Sequence, residues 1–111
     1  MRKISRLLPT LALALTVSGF ASAADFTVGT ATAHSGQKAT GYIRVPAGSD
    51  AAVDIAVIVV NGAKPGPTLA LLAGAHGTEY ASIIALERLG QSADPATLAG
   101  TLVIVPLLNV A

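Results

Sequence analysis

The sequence predicts an α/β fold with a sheet covered on both faces, and three observations carry that expectation. Residues 54–60, 68–73 and 101–105 are apolar at both alternating sets of positions. A strand covered on one face alternates apolar and polar, whereas a strand covered on both does not. Between the second and third runs, residues 79–90 carry apolar side chains at helical spacing. A strand, a helix and a strand of this length suit a right-handed parallel crossover.

The elements follow in order. Residues 25–40 are mixed and polar, with room for one short strand at 26–28. "GYIRV" (41–45) alternates and suits an outer strand. Pro46–Asp50 is a turn cluster, and Asn61-Gly62 is a strong turn signal after the first apolar run. Lys64-Pro65-Gly66-Pro67 reads as a second turn before the strand at 68–73. In the helix, Ala85, Leu86 and Leu89 share one face with Ile83 beside them. Ser82 sits in the middle of that face, where a small residue permits close approach to the sheet. Glu87, Arg88 and Gln91 point the other way, and Ile84 falls on their side. Asp94-Pro95 marks the next loop, and Pro106 stops the last strand.

The first 23 residues are expected to lie outside the fold. Arg2, Lys3 and Arg6 precede an apolar run from Leu7 to about Val17, and Ala21-Ser22-Ala23 closes it. That is the layout of a secretory signal peptide with cleavage after Ala23. The run is short for a membrane anchor and contains Pro9 and Thr10. The protein is therefore expected in the periplasm, or secreted, with no stable membrane anchor after cleavage. Beyond residue 23, Lys38, Arg44, Lys64 and Arg88 stand against Asp25, Asp50, Asp54, Glu79, Glu87 and Asp94. This net acidic segment has no basic patch, which argues against nucleic acid or anionic lipid as a partner. There is no cysteine, so no disulfide reinforces the core. A chain this small buries only about 60–65% of its unfolded surface.

The chemistry-bearing residues gather where the crossover turns. His76 follows the carboxyl end of one parallel strand, and Asn109 follows the carboxyl end of the next. Ligands of open α/β sheets bind outside those ends. Glu79 stands three places after His76, across a loop-to-helix junction, so both can aim at one point. An imidazole nitrogen and a carboxylate oxygen are good zinc ligands. Gly74 and Gly77 flank the histidine where the backbone must bend. The alternative is a plain helix start, with Thr78 as the N-cap and a glutamate favoured by the helix dipole. His34 has no acidic neighbour nearby in sequence and reads as a solvated loop residue. Asn109 could simply cap a turn after Pro106.

Larger blocks add to this. "NGAKPGPTLALLAGAHGTEYASIIALERL" followed by "LAGTLVIVPLLNVA" resembles the succinylglutamate desuccinylase/aspartoacylase family, relatives of the zinc carboxypeptidases. The resemblance spans about residues 40–111. It rests on the Pro-Gly-Pro turn, the Gly-x-His-Gly-x-Glu block, and the stretch from Gly100 through Pro106 to Asn109.

The resemblance implies the N-terminal part of a zinc-carboxypeptidase-like three-layer α/β fold with a mixed sheet. It implies one Zn2+ per site, with His76 and Glu79 as two of three protein ligands, and it points to Asn109 as a substrate-binding residue. The reaction implied is removal of an acyl group from an N-acyl amino acid or related amide or ester. The family's third ligand, general-base glutamate and substrate-binding arginines lie downstream of the segment matched here. No catalytic residue beyond the ligands is thus expected within this chain. Val110 stands where the family often has proline. On this reading residues 24–111 form a truncated catalytic domain, inactive alone. The rivals are a non-catalytic binding or interaction domain and a carboxypeptidase acting on peptides.

Overall fold

The computed structural model describes residues 23–110. Except for Ala23, the expected signal peptide lies outside the described residues. Two short strands, β1 (Phe26–Val28) and β2 (Ala31–Ala33), form an antiparallel hairpin. Four longer strands form a mixed sheet: β3 (Gln37–Val45), β4 (Val53–Asn61), β5 (Lys64–Leu72) and β6 (Ala99–Val105), in the order β3-β4-β6-β5. The helix α1 (Tyr80–Ser92) joins β5 to β6, which pair in parallel as the crossover predicts. The other two pairings are antiparallel.

The hairpin and the helix cover opposite faces. Ala31 and Ala33 of the hairpin pack with Val57, Val59 and Val105 in one buried cluster. Ile58 points the other way, as alternation along a strand requires. It meets α1 at Gly90, where an added Cβ would lie 2.4 Å from Ile58 Cδ1. These are the three layers, hairpin on sheet on helix. The close approach falls at Gly90 and not at Ser82, which is exposed and donates its hydroxyl to Glu79 O. Ile83, Leu86 and Leu89 make up the half-buried face, while Ala85 is exposed and Ile84 lies on the open side as expected.

The helix has no basic residue in its last turn. Lys38, from the far edge strand, takes that place. Its ammonium donates to Gln91 O at 2.7 Å and Gly90 O at 3.2 Å. A cation there satisfies carbonyls that no helical N–H can reach and opposes the negative end of the helix dipole.

Two expectations for β5 are corrected. Residues 64–67 are not a separate turn, because β5 begins at Lys64. The pairing with β6 is irregular between Lys64 and Thr68. Prolines are tolerated at an edge or a bulge, where no ladder donor is needed. Glycine at 66 and 100 lets the two backbones touch, since a Cβ on Gly66 would lie 2.6 Å from Gly100 N. Nor is the 68–73 run covered on both faces as expected. It is an edge strand among the described residues, with Leu69 and Leu72 exposed. The apolar run signals a surface that needs cover, and within these residues only one flank receives it.

Asn61 was read as a turn signal, and it does end β4. It is also 1% exposed and spans three elements. Its amide donates to Ala24 O (2.8 Å) and Ala33 O (3.0 Å), and its carbonyl oxygen accepts from the Thr101 hydroxyl at 3.0 Å.

At the opposite end of the sheet, Arg44 and Asp54 are cross-strand partners and pair through two hydrogen bonds. The bond to Arg44, more than its charge, holds the Asp54 carboxyl below its usual value, and the same bond raises the Arg44 guanidinium. A lowered carboxyl favours the fold above its unfolded value, about 3.9. That contribution disappears as pH falls through the lower folded value. The Arg44→Ala variant is expected to titrate Asp54 at higher pH than the parent chain, as read by carboxyl-carbon NMR. An unchanged Asp54 titration would remove the pairing from the solution structure.

Candidate metal centre

Strand β5 delivers the site. After Leu72 the chain passes Ala73, whose N–H bonds Val105 O at 3.0 Å, and turns at Gly74. Gly74 has φ +63°, and a Cβ there would lie 2.7 Å from Leu107 Cδ1 and 3.1 Å from Ile83 Cγ1. Both the backbone conformation and the space therefore require glycine. Gly77 is different: nothing lies within 4 Å of a Cβ placed on it. The two glycines flanking His76 do unlike work, one fitting the loop against the fold and one lying in the open.

The segment after β6 closes the same edge. Leu108 N bonds Ala73 O, and Asn109 N bonds Gly74 O, both at 2.9 Å. Asn109 is thereby held two residues from His76, as the strand-end argument anticipated. The bond that does so is its backbone N–H.

His76 and Glu79 meet. The ring N–H at Nδ1 donates to Glu79 Oε1 at 2.7 Å, and Glu79 N bonds His76 O at 3.1 Å. The two side chains are 81% and 41% exposed. The helix begins just beyond, and its N-cap position is Glu79, not Thr78. No side chain caps this end, because the Glu79 carboxylate is turned to the histidine. The plain-helix-start alternative thus lacks the bond that would define it.

A second histidine–carboxylate pair exists. His34 Nδ1 lies 2.8 Å from Asp25 Oδ2. The β1–β2 hairpin brings them together, which sequence distance hid. It lies away from the carboxyl ends of β5 and β6. Among the described residues no group of three or more histidine, cysteine, aspartate or glutamate side chains could hold a metal ion. His76 and Glu79 also line neither of two grooves, of about 420 and 210 Å3, that open elsewhere on the surface. The site is an open edge with two converging donors.

The succinylglutamate desuccinylase/aspartoacylase catalytic domain matches residues 65–111, which hold most of β5, α1, β6, His76, Glu79 and Asn109. This segment of the chain resembles that family's catalytic domain. The N-alpha-acetyl-L-2,4-diaminobutyric acid deacetylase of Halomonas elongata is 37% identical over 73 residues, covering 62% of this chain and 21% of the deacetylase. An aspartoacylase family protein from Mesorhizobium loti superposes with a TM-score of 0.59 at 30% identity, over 65% of this chain and 23% of its own. A succinylglutamate desuccinylase/aspartoacylase from Rhodobacter sphaeroides gives 0.58 at 32%, over 66% and 23%. The chain thus spans about a fifth of the deacetylase and under a quarter of the two solved structures. The mixed sheet of this chain is an aspartoacylase-type fold.

Proposed function

We propose that this chain supplies the zinc-binding edge of a hydrolase that removes an acyl group from an N-acyl amino acid or a related amide or ester. The observation that carries the reading is the His76–Glu79 pair at the carboxyl end of β5. The family match over residues 65–111 and the deacetylase relative support the reaction class. The donor set suits zinc, which takes imidazole nitrogen and carboxylate oxygen together. Zinc, when bound, would polarise the scissile carbonyl and acidify a bound water.

The chain's own residues have simpler tasks. Gly74 and the two backbone bonds from 108 and 109 fix where the loop leaves the sheet. Glu79 orients the imidazole ring, and His76 orients the carboxylate in return. Asn109 stands at the same edge, where a polar substrate group would arrive, and is proposed to bind it. Catalytic zinc sites use three protein ligands. The 111-residue chain by itself, with two, is therefore proposed to hold zinc weakly and to lack activity. An amino-terminal signal peptide with cleavage after Ala23 and a periplasmic or secreted location complete the proposal.

Zinc titration of the chain, followed by imidazole NMR, tests the site. The His76 ring signals are expected to shift while those of His34 stay in place. Loss of an outer-sphere partner typically costs about 10–100-fold in metal affinity, and loss of a ligand should cost no less. Glu79→Gln is accordingly expected to weaken the response at least about tenfold. A response at His34 alone, or none at His76, would overturn the assignment.

A further inference from the structure

Asn61-Gly62 is a turn signal that neither the metal edge nor the proposed reaction uses. The fold nevertheless dictates both residues. Asn61 is needed for its amide, which donates to Ala24 O and Ala33 O and accepts from the Thr101 hydroxyl. Gly62 is needed for space, because a Cβ there would collide with the carbonyl oxygens of Leu98 and Gly100. The dipeptide that results is the one most prone to lose its side-chain amide. Glycine has no side chain to shield its nitrogen or restrict the backbone around it. Once freed of its proton, that nitrogen can attack Asn61 Cγ. The bond from Cγ to Nδ2 then breaks, ammonia leaves with the proton, and a succinimide ring remains. Water opens the ring at either carbonyl, giving aspartate or isoaspartate.

In the folded chain each reacting atom is held elsewhere. The nucleophile, Gly62 N, donates to Gly100 O at 2.8 Å. The leaving nitrogen donates at 2.8 and 3.0 Å, and Oδ1 accepts at 3.0 Å. Asn61 also lies in the ladder, opposite Gln37 on one side and Thr101 on the other. The backbone there cannot rotate to bring Gly62 N onto Cγ while both pairings hold. Detaching the hairpin alone would release Nδ2 but leave the ladder and the Gly62–Gly100 bond in place. The end of β4 must therefore open from both neighbours, and the reaction follows the population of that open state. The product does not fit back. A carboxylate at 61 would set an oxygen against the carbonyls of Ala24 and Ala33, where a donor is required, and a buried unpaired charge is costly. Isoaspartate would lengthen the backbone by a methylene at the end of the ladder.

We propose that Asn61-Gly62 is a deamidation site closed by the fold: it converts when β4 opens, and the conversion bars the chain from closing again. The modification is a one-way mark of time spent unfolded, and it is independent of the zinc-site reading. The test compares the 111-residue chain in native buffer and in guanidinium chloride, both at mildly alkaline pH, which speeds the attack. Trypsin passes Lys64-Pro65 and releases residues 45–88, in which Asn61 is the only side-chain amide, so the mass of that peptide reports this site. Conversion is expected to be at least about a hundredfold slower in native buffer, since folded domains are open about one part in a thousand or less. The converted chain, diluted out of denaturant, should show a lower urea midpoint than the parent or no transition at all. Asn61→Asp, made directly, should show the same loss. Equal conversion in the two solvents, or none in guanidinium chloride, would overturn the site. A converted chain or an Asn61→Asp variant that unfolds at the parent's midpoint would overturn the one-way mark.

Discussion

Replacing Asn61 with leucine is expected to remove about 3 kcal/mol or more of stability, at about 1–3 kcal/mol for each polar group orphaned in the interior. The side chains are close in size, so the loss is one of hydrogen bonding and not of volume. Asn61 is 1% exposed and holds Ala24, Ala33 and Thr101 at once. Leucine would strand the carbonyl of Ala33 and the hydroxyl of Thr101 beside an apolar group. A domain of this size has about 5–10 kcal/mol in all, so the variant should lose a large part of its resistance to urea. Adding Thr101→Val should recover some of the loss, because removing both partners costs less than removing one. A urea midpoint for Asn61→Leu within error of the parent would sink this account of the hairpin's attachment.

Gly74→Ala is the second large effect. A left-handed backbone conformation costs a non-glycine residue about 1–2 kcal/mol. The new methyl would also collide with Leu107, and overpacking costs about 1–3 kcal/mol more. The sum, roughly 2–5 kcal/mol, should appear in thermal melts. More telling is the effect on the site. Gly74 O holds Asn109 N, so displacing it shifts the strand end that presents His76. The zinc response of the His76 ring should therefore weaken at temperatures where the variant is still folded. Gly77→Ala is the control, since nothing lies near its Cβ position. It should leave stability within about 0.5 kcal/mol, as surface changes do. Equal effects at 74 and 77 would contradict the geometry.

Much of this arrangement was legible in the chain. Apolar runs and helical spacing are local signals, and they placed β4, β6, α1 and the parallel crossover within a few residues. The pairing of His76 with Glu79 was legible for the same reason, since three positions across a helix start leave few places to go. What was hidden depends on distant partners. Nothing near Asn61 announces Ala24 or Thr101, and nothing near His34 announces Asp25. Helical periodicity put Ser82 on the inner face, but the contact point slides toward the end that Ile58 reaches, which is Gly90. Pro65 and Pro67 read as a turn because proline is a poor ladder member, yet an edge strand asks nothing of their nitrogen. Thr78 is a good capping residue displaced by one position, because Glu79 is engaged by the histidine and no residue then caps the helix.

The tie between Lys38 and the last carbonyls of α1 has a mechanical meaning. With Gly90 seated on Ile58 and Lys38 holding Gly90 and Gln91, the helix is a beam clamped at its far end. Its near end, at Tyr80, is exposed and uncapped. Any tilt of such a cantilever is largest at the tip, and the tip carries Glu79. His76, by contrast, springs from the short loop riveted to both strand ends at Ala73 and Gly74. The histidine is thus the fixed jaw of the pair and the glutamate the adjustable one, with the clamp some ten residues away setting how far the jaw can travel.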